Sequence, residues 1–257
     1  MAPPLHFTEQ GTGTALLLLH AFPLSHAMWS GELARFATMR RVITPDLPGF
    51  GRSPRLTTPS IPAMARAVAA LLDGLGIREP VMLGGLSMGG YVALEFFRQF
   101  PDRVKALGLF STRAAPDSPE QRAGRLQLAG QLARDGIEAL MQTAVPKLLG
   151  PTTRARRPAV AEQVERAARA ASVDGVADAM RAMAARADSR PLLASIGCPT
   201  LVVAGGEDRV IPVAESEAMA KAIPGARLDV IPEAGHVVNL EQPDAFQGIV
   251  EAWIRHN

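Results

Sequence analysis

The stretch Val81-Met-Leu-Gly-Gly-Leu-Ser87-Met-Gly-Gly-Tyr91 decides the fold. Its first six residues form a short apolar run, and apolar residues at helical spacing take over from Met88 to Phe100. A strand therefore passes into a helix with only Ser87 between them, and the pattern Gly85-x-Ser87-x-Gly89 sits on that junction. So tight a turn forces the serine into a strained backbone conformation, and the flanking glycines remove side chains that would collide. Ser87 is thereby expected to project from the end of the strand as a nucleophile. The plainer alternative is a glycine-rich strand-to-helix junction with a capping serine.

Similar apolar runs lie on both sides of this one: Ala15 to Leu19, Arg41 to Thr44, Val104 to Phe110, Thr200 to Ala204 and Leu228 to Ile231. Strands this uniformly apolar are expected to be buried on both faces. Helical patterns separate them at Met28 to Phe36, Ile61 to Leu75, Val213 to Ile223 and Pro243 to Ile254. Apolar strands alternating with helices predict an α/β protein with a mostly parallel sheet covered by helices on both faces. Leu5 to Glu9 reads as a short antiparallel strand. From Thr112 to Arg190 the alternation stops, and Ala, Leu, Arg, Gln and Glu recur at helical spacing. The expected organisation is a core of residues 1–111 and 191–257 with a helical cap, 112–190, inserted. Pro146, Gly150-Pro151 and Pro158 should divide the cap into three or four helices. The basic run Arg154-Ala-Arg156-Arg157 is expected to be a solvated helix end or loop.

A serine hydroxyl needs a base within reach, and the base needs a group that fixes its tautomer. Of the five histidines, only His236 lies in a Gly-His step just after a strand. His20 is expected to order a loop, while His6, His26 and His256 are expected at exposed or terminal positions. Asp208, just beyond the strand ending at Ala204, is the candidate acid, with Glu207 its neighbouring competitor. The chain order Ser87, Asp208, His236 differs from the orders of the two serine protease folds.

These motifs together resemble the α/β-hydrolase superfamily over nearly the whole chain. Leu16-Leu-Leu-Leu-His20-Ala21-Phe22-Pro23 is similar to its oxyanion loop, and Asp46-Leu-Pro-Gly49-Phe-Gly51-Arg-Ser53 to its D-x-P-G-x-G-x-S loop. Gly205-Gly-Glu-Asp208-Arg-Val-Ile-Pro212 and Gly235-His236 resemble the acid and base loops. The stretch Met183 to Leu192 resembles that of small bacterial esterases grouped with 3-oxoadipate enol-lactonases, chloroperoxidase-like perhydrolases and carbon-carbon bond hydrolases. The resemblance implies an oxyanion hole made by the backbone N–H groups of Phe22 and Met88. Ala21 stands where the family usually has glycine. Ser87, where haloalkane dehalogenases and epoxide hydrolases carry aspartate, argues against alkyl-enzyme chemistry.

The expected activity is hydrolysis of small carboxylic esters or lactones through an acyl-enzyme. The alternatives are a carbon-carbon bond hydrolase or perhydrolase using the same triad, or a ligand receptor that retains it. Several apolar cap residues, among Leu126, Leu128, Leu132, Ile137, Leu140, Met141, Val145 and Leu148, should line the acyl pocket. No cofactor or metal is expected, since no phosphate-cradling glycine loop and no metal-ligand spacing occurs.

The 257 residues suit one large domain, at roughly 100 to 200 residues each. Basic residues number 27 against 25 acidic, a net charge of +2 that does not call for a nucleic acid. One cysteine, Cys198, excludes an intrachain disulfide and reads as a small core residue. The start, Met1 to His6, lacks the pattern of a secretion leader, and no apolar stretch is long enough to cross a membrane, so a cytoplasmic protein is expected.

Overall fold

The computed structural model describes residues 4–257; Met1 to Pro3, part of the start read above for a leader, lie outside the described residues. Seven strands form one sheet: β1 (Phe7–Gln10), β2 (Ala15–Leu19), β3 (Arg41–Pro45), β4 (Val81–Leu86), β5 (Val104–Phe110), β6 (Thr200–Gly205) and β7 (Arg227–Ile231). Their order is β1-β3-β2-β4-β5-β6-β7, with β1 antiparallel to β3 and every other pair parallel. The sheet is thus the expected one, with β4 at its centre.

The apolar runs explain the arrangement. Every residue of β2, β4 and β6 is buried, which only a sheet covered on both faces allows. The exception is β7, whose first four residues are exposed or half-buried. It lies at the margin of the sheet with one strand neighbour, so its outer edge is unpaired and the expectation of full burial fails there.

Helices cover the sheet: α1 (Ser30–Phe36), α2 (Ile61–Gly74) and α3 (Met88–Gln99) between the early strands. Ser60 caps α2 by accepting from the Ala63 N–H, with Pro62 at the start of the helix. The close seat of α3 on the sheet depends on glycine. A Cβ on Gly85 would come within 2.2 Å of the Gly89 carbonyl oxygen, and one on Gly89 within 2.3 Å of the Leu19 carbonyl oxygen.

Between β5 and β6 the chain is wholly helical: α4 (Pro119–Asp135), α5 (Glu138–Thr143), α6 (Pro151–Arg156), α7 (Pro158–Arg169), α8 (Val173–Ala184) and the short α9 (Arg190–Leu193). Five helices up to Ala184 exceed the expected three or four. Proline was not the only breaker: Gly136 ends α4 at φ 66°, and Ser172 opens α8 by accepting from the Gly175 N–H. A capping box of Ser118 and Gln121 starts α4. Helix α8 meets the 46–55 loop at a glycine pair, since a Cβ on Gly175 would lie 1.9 Å from the Gly49 carbonyl oxygen. Arg55 pairs with Asp174 and Asp178 beside it. The chain closes with α10 (Val213–Ala222), α11 (Val238–Glu241) and α12 (Pro243–His256). Among the described residues, no helix is long and apolar enough to cross a membrane.

Two side-chain expectations are corrected. His6 and His26 are half-buried and bound, His6 Nδ1 to Asp46 Oδ2 at 2.9 Å and His26 Nδ1 to Asp46 Oδ1 at 2.8 Å. Cys198 is half-buried at the margin of the core, and burial raises its thiol pKa. Arg154 and Arg156 are exposed as expected, whereas Arg157 donates to the Glu241 carbonyl oxygen.

Candidate active site

Ser87 links β4 to α3 with φ 54° and ψ −112°, a positive φ that a residue with a Cβ adopts only under strain. The surroundings hold it there. Its N–H donates to the Phe110 carbonyl at 2.9 Å, and its own carbonyl accepts from Gly90 N–H, Tyr91 N–H and the Thr112 hydroxyl.

Asp208 and His236 come together at the ends of β6 and β7. His236 Nδ1 lies 2.7 Å from Asp208 Oδ2, with both side chains essentially inaccessible to solvent. Asp208 Oδ1 accepts from the N–H groups of Val210 and Ile211 at 2.7 and 2.9 Å. A carboxylate so held accepts the Nδ1 proton, which leaves Nε2 of His236 as the basic nitrogen. Glu207 turns the other way, onto the Thr152 hydroxyl at 2.6 Å and the Thr152 N–H at 2.9 Å. These hydrogen bonds lower its pKa.

Ser87 and His236 line one cavity of about 440 Å³, together with Phe22. Among the described residues, no hydrogen bond joins Ser87 to His236. The Phe22 and Met88 N–H groups likewise have no protein acceptor. Met88 opens α3, where the first amides of a helix lack partners within it. The Phe22–Pro23 peptide is cis, and Ala21 is fully buried with its N–H toward Met28 Sδ.

His20 orders this loop. It is fully buried, with Nδ1 3.0 Å from the Ala21 carbonyl oxygen and Nε2 accepting from the Leu47 N–H at 2.9 Å. One nitrogen donates and the other accepts, so the ring is neutral. Burial lowers its pKa to about 4. Asp46, next to Leu47, is also buried, which pushes its carboxyl up. Hydrogen bonds from Arg52 N–H, His26 N–H and the His26 ring outweigh that, and its pKa is lowered.

The opposite wall comes from the helices between β5 and β6. Of the apolar residues expected there, Leu128 and Leu148 reach the cavity. Leu126 is 46% exposed, while Leu132, Leu140, Met141 and Val145 are buried without lining it. Met180 and Met183 of α8 supply further apolar surface, and Gln121, Arg125, Gln127 and Gln131 of α4 supply a polar strip. The segment 148–152 is also tied to the base and acid loops. The Leu148 carbonyl accepts from His236 N–H, Gly150 N–H donates to Glu241, and Thr152 holds Glu207.

A cluster of charges is built into the helical wall, with Arg113 and Arg125 lining the cavity. Asp117 is bound by Arg113 at 2.6 Å, Arg125 at 2.6 Å and Arg186 at 2.8 Å. Burial raises the Asp117 pKa, but Arg125 and Arg186 more than reverse this and it is lowered. Arg186 also stacks over the Tyr91 ring, 4.2 Å from its centroid. No local sequence pattern marks these residues as a cluster. The only signal was a proline-flanked Arg113-x-x-x-Asp117 step and the Arg186-Ala-Asp188 stretch, neither of which identifies its partner.

The alpha/beta hydrolase fold family matches residues 14–243. The 3-oxoadipate enol-lactonase 2 of Acinetobacter baylyi is 32% identical over 95% of this chain and 89% of its own. The pimeloyl-(acyl-carrier protein) methyl ester esterase of Neisseria meningitidis is 30% identical over 92% of each chain. Among solved structures, a thermophilic esterase from Thermogutta terrifontis, in a malate-bound form, is 41% identical with a TM-score of 0.95, covering 98% of this chain and 93% of that one. The chain belongs to the α/β-hydrolase family, in the group that includes the enol-lactonases.

Proposed function

We propose that this α/β-hydrolase cleaves small carboxylic esters or lactones through an acyl-enzyme, with Ser87 as nucleophile, His236 as base and Asp208 as its orienting acid. The carrying observation is that strained Ser87 faces the same cavity as His236, whose far nitrogen is held by Asp208. The similarity to an enol-lactonase, a methyl ester esterase and a further esterase supports the substrate class.

In this reading Ser87 Oγ attacks the carbonyl carbon as His236 Nε2 takes its proton. Negative charge develops on the carbonyl oxygen, where the free N–H groups of Phe22 and Met88 meet it. The tetrahedral intermediate collapses, the carbon–oxygen bond to the leaving alcohol breaks, and His236 returns the proton to that oxygen. Water, deprotonated by His236, then attacks the acyl-enzyme and releases the acid. Asp208 holds the imidazole in the required tautomer and faces the cation formed at each transfer. A lactone follows the same course with both products in one molecule. Residues 112–190 act as a cap that sets substrate choice and contributes no triad member.

The test is a turnover panel of short alkyl esters, lactones, carbon-carbon substrates next to a ketone, and peracid formation from the acid and peroxide. Esters or lactones are expected to turn over fastest. Turnover confined to the carbon-carbon or peracid arm, or binding without turnover in every arm, would overturn this reading.

A further inference from the structure

The cavity wall facing the site holds more positive charge than the protein itself neutralises. Three guanidiniums, Arg113, Arg125 and Arg186, share the single carboxylate of Asp117. Arg113, Arg186 and Asp117 are almost completely buried and Arg125 is one-fifth exposed. The other carboxylate near Arg113 and Arg186, that of Glu95, is already paired with Arg98. Lys147 adds a cation to the lining, and among the described residues no acidic side chain lines the cavity. Buried charge without a partner is costly, so such a surplus normally answers an anion.

The hydrogen bonding shows where the anion would go. Arg113 is almost wholly buried, donates Nη2 to Asp117 and Gln121, and its buried, unpartnered Nε is sealed from the cavity. Arg125 spends Nε on Asp117 and directs Nη1 at the sulfurs of Met180 and Met183, at 3.8 and 3.5 Å, which are weak acceptors. Arg113 and Arg125 both line the cavity that holds Ser87. Asp117 thus fixes the Arg125 guanidinium in place while leaving it donors that no strong acceptor takes, as a preorganised carboxylate subsite requires.

We propose that the cavity is a subsite for anionic substrates: esters or lactones carrying a carboxylate, which Arg125 binds from the cap side while the scissile carbonyl meets Ser87. This rests on the ester and lactone reading above and deepens it. Arg125 is the contact, and Arg113, Asp117 and Arg186 are positioning residues.

The test compares monomethyl esters of succinate, glutarate and adipate, which carry one carboxylate, with the neutral dimethyl esters. KM for the best half-ester is expected to be about tenfold below that of its diester, the size of one charge-assisted contact. Added salt should raise KM for the half-ester and leave that for the diester unchanged. Arg125→Met should abolish the preference, and Arg125→Lys, which keeps the charge without the fork, should restore part of it. Binding of glutarate by calorimetry gives a second readout, weakened at least tenfold in Arg125→Met and independent of turnover. Equal KM values in the wild type, or a preference unaltered in Arg125→Met, would overturn the proposal while ester turnover left the catalytic reading standing. If no ester or lactone turned over, that reading would fail by itself, and the calorimetric arm would still decide the subsite. Should Arg125→Met not fold, the wild-type salt dependence and Arg125→Lys carry the test.

Discussion

On the sheet side of the cavity, Ser87 and His236 stand at the ends of short connections, and their backbones are fixed by main-chain hydrogen bonds. On the helical side, Arg113, Asp117, Arg125 and Arg186 are fixed by side-chain ion pairs that join the two ends of the segment between β5 and β6. The first kind of wall suits chemistry, which needs atoms held within fractions of an ångström. The second suits recognition, because changing one side chain alters what the wall attracts without moving the backbone.

Substitutions should separate the two walls by the size and kind of their effects. Ser87→Ala should lower kcat by a factor on the order of 10⁶ with the fold intact, which single-turnover kinetics and a melting curve would establish together. Asp208→Asn keeps the shape but leaves the imidazole in the wrong tautomer, so a loss of about 10⁴ in kcat is expected. Glu207→Gln removes only the Thr152 contact and should stay within tenfold. Comparable losses in the two variants would erase the distinction between Asp208 and its neighbour.

His20 makes the sheet side sensitive to acid. Its folded pKa of about 4 lies below the ordinary histidine value of 6.5, so the unfolded chain binds the extra proton first. Stability should therefore fall as the pH drops from 6.5 toward 4 and gain nothing from this group above 6.5. At about 1.4 kcal/mol per pH unit the full penalty is roughly 3 kcal/mol. Denaturant unfolding of the wild type and His20→Gln at pH 7 and pH 4.5 isolates it from the carboxyl groups that titrate there. The acid-induced loss should be smaller in the variant, and parallel losses would contradict the assignment.

The smallest effects belong to the helical wall. Leu128→Ala and Met180→Ala should change KM and the preferred acyl length by several-fold, with kcat for the best ester little altered. A flat substrate profile accompanied only by lower melting temperatures would make the wall structural cover, and the contrast between the two sides would disappear.

The same contrast explains what the sequence reveals. Ser87 announces itself because the turn it occupies demands an apolar run before it, glycines beside it and a helix after it, all within eleven residues. Asp208 and His236 follow strands for a similar reason, as sites in such sheets gather at the strand ends. The edge position of β7 was hidden because three of the four residues from Leu228 to Ile231 are apolar, although Asp229 among them is a local sign of partial exposure. His6 and His26 read as surface residues because their partner, Asp46, lies 40 and 20 positions away. The Arg113–Asp117–Arg186 cluster is hidden in the same way, since an arginine in a helical stretch has the same pattern whether it meets solvent or a buried carboxylate. The helix count was underestimated because Gly136 and Ser172 end and start helices without proline.

Covalent labelling tests the central claim, that Ser87 is the nucleophile, most directly. The protein is treated with a fluorophosphonate, its intact mass is measured, and the modified peptide is mapped, in the wild type and in Ser87→Ala. The proposed chemistry predicts one adduct on the wild type, located on Ser87, and none on the variant. An adduct on another residue, or labelling that persists in Ser87→Ala, would contradict it.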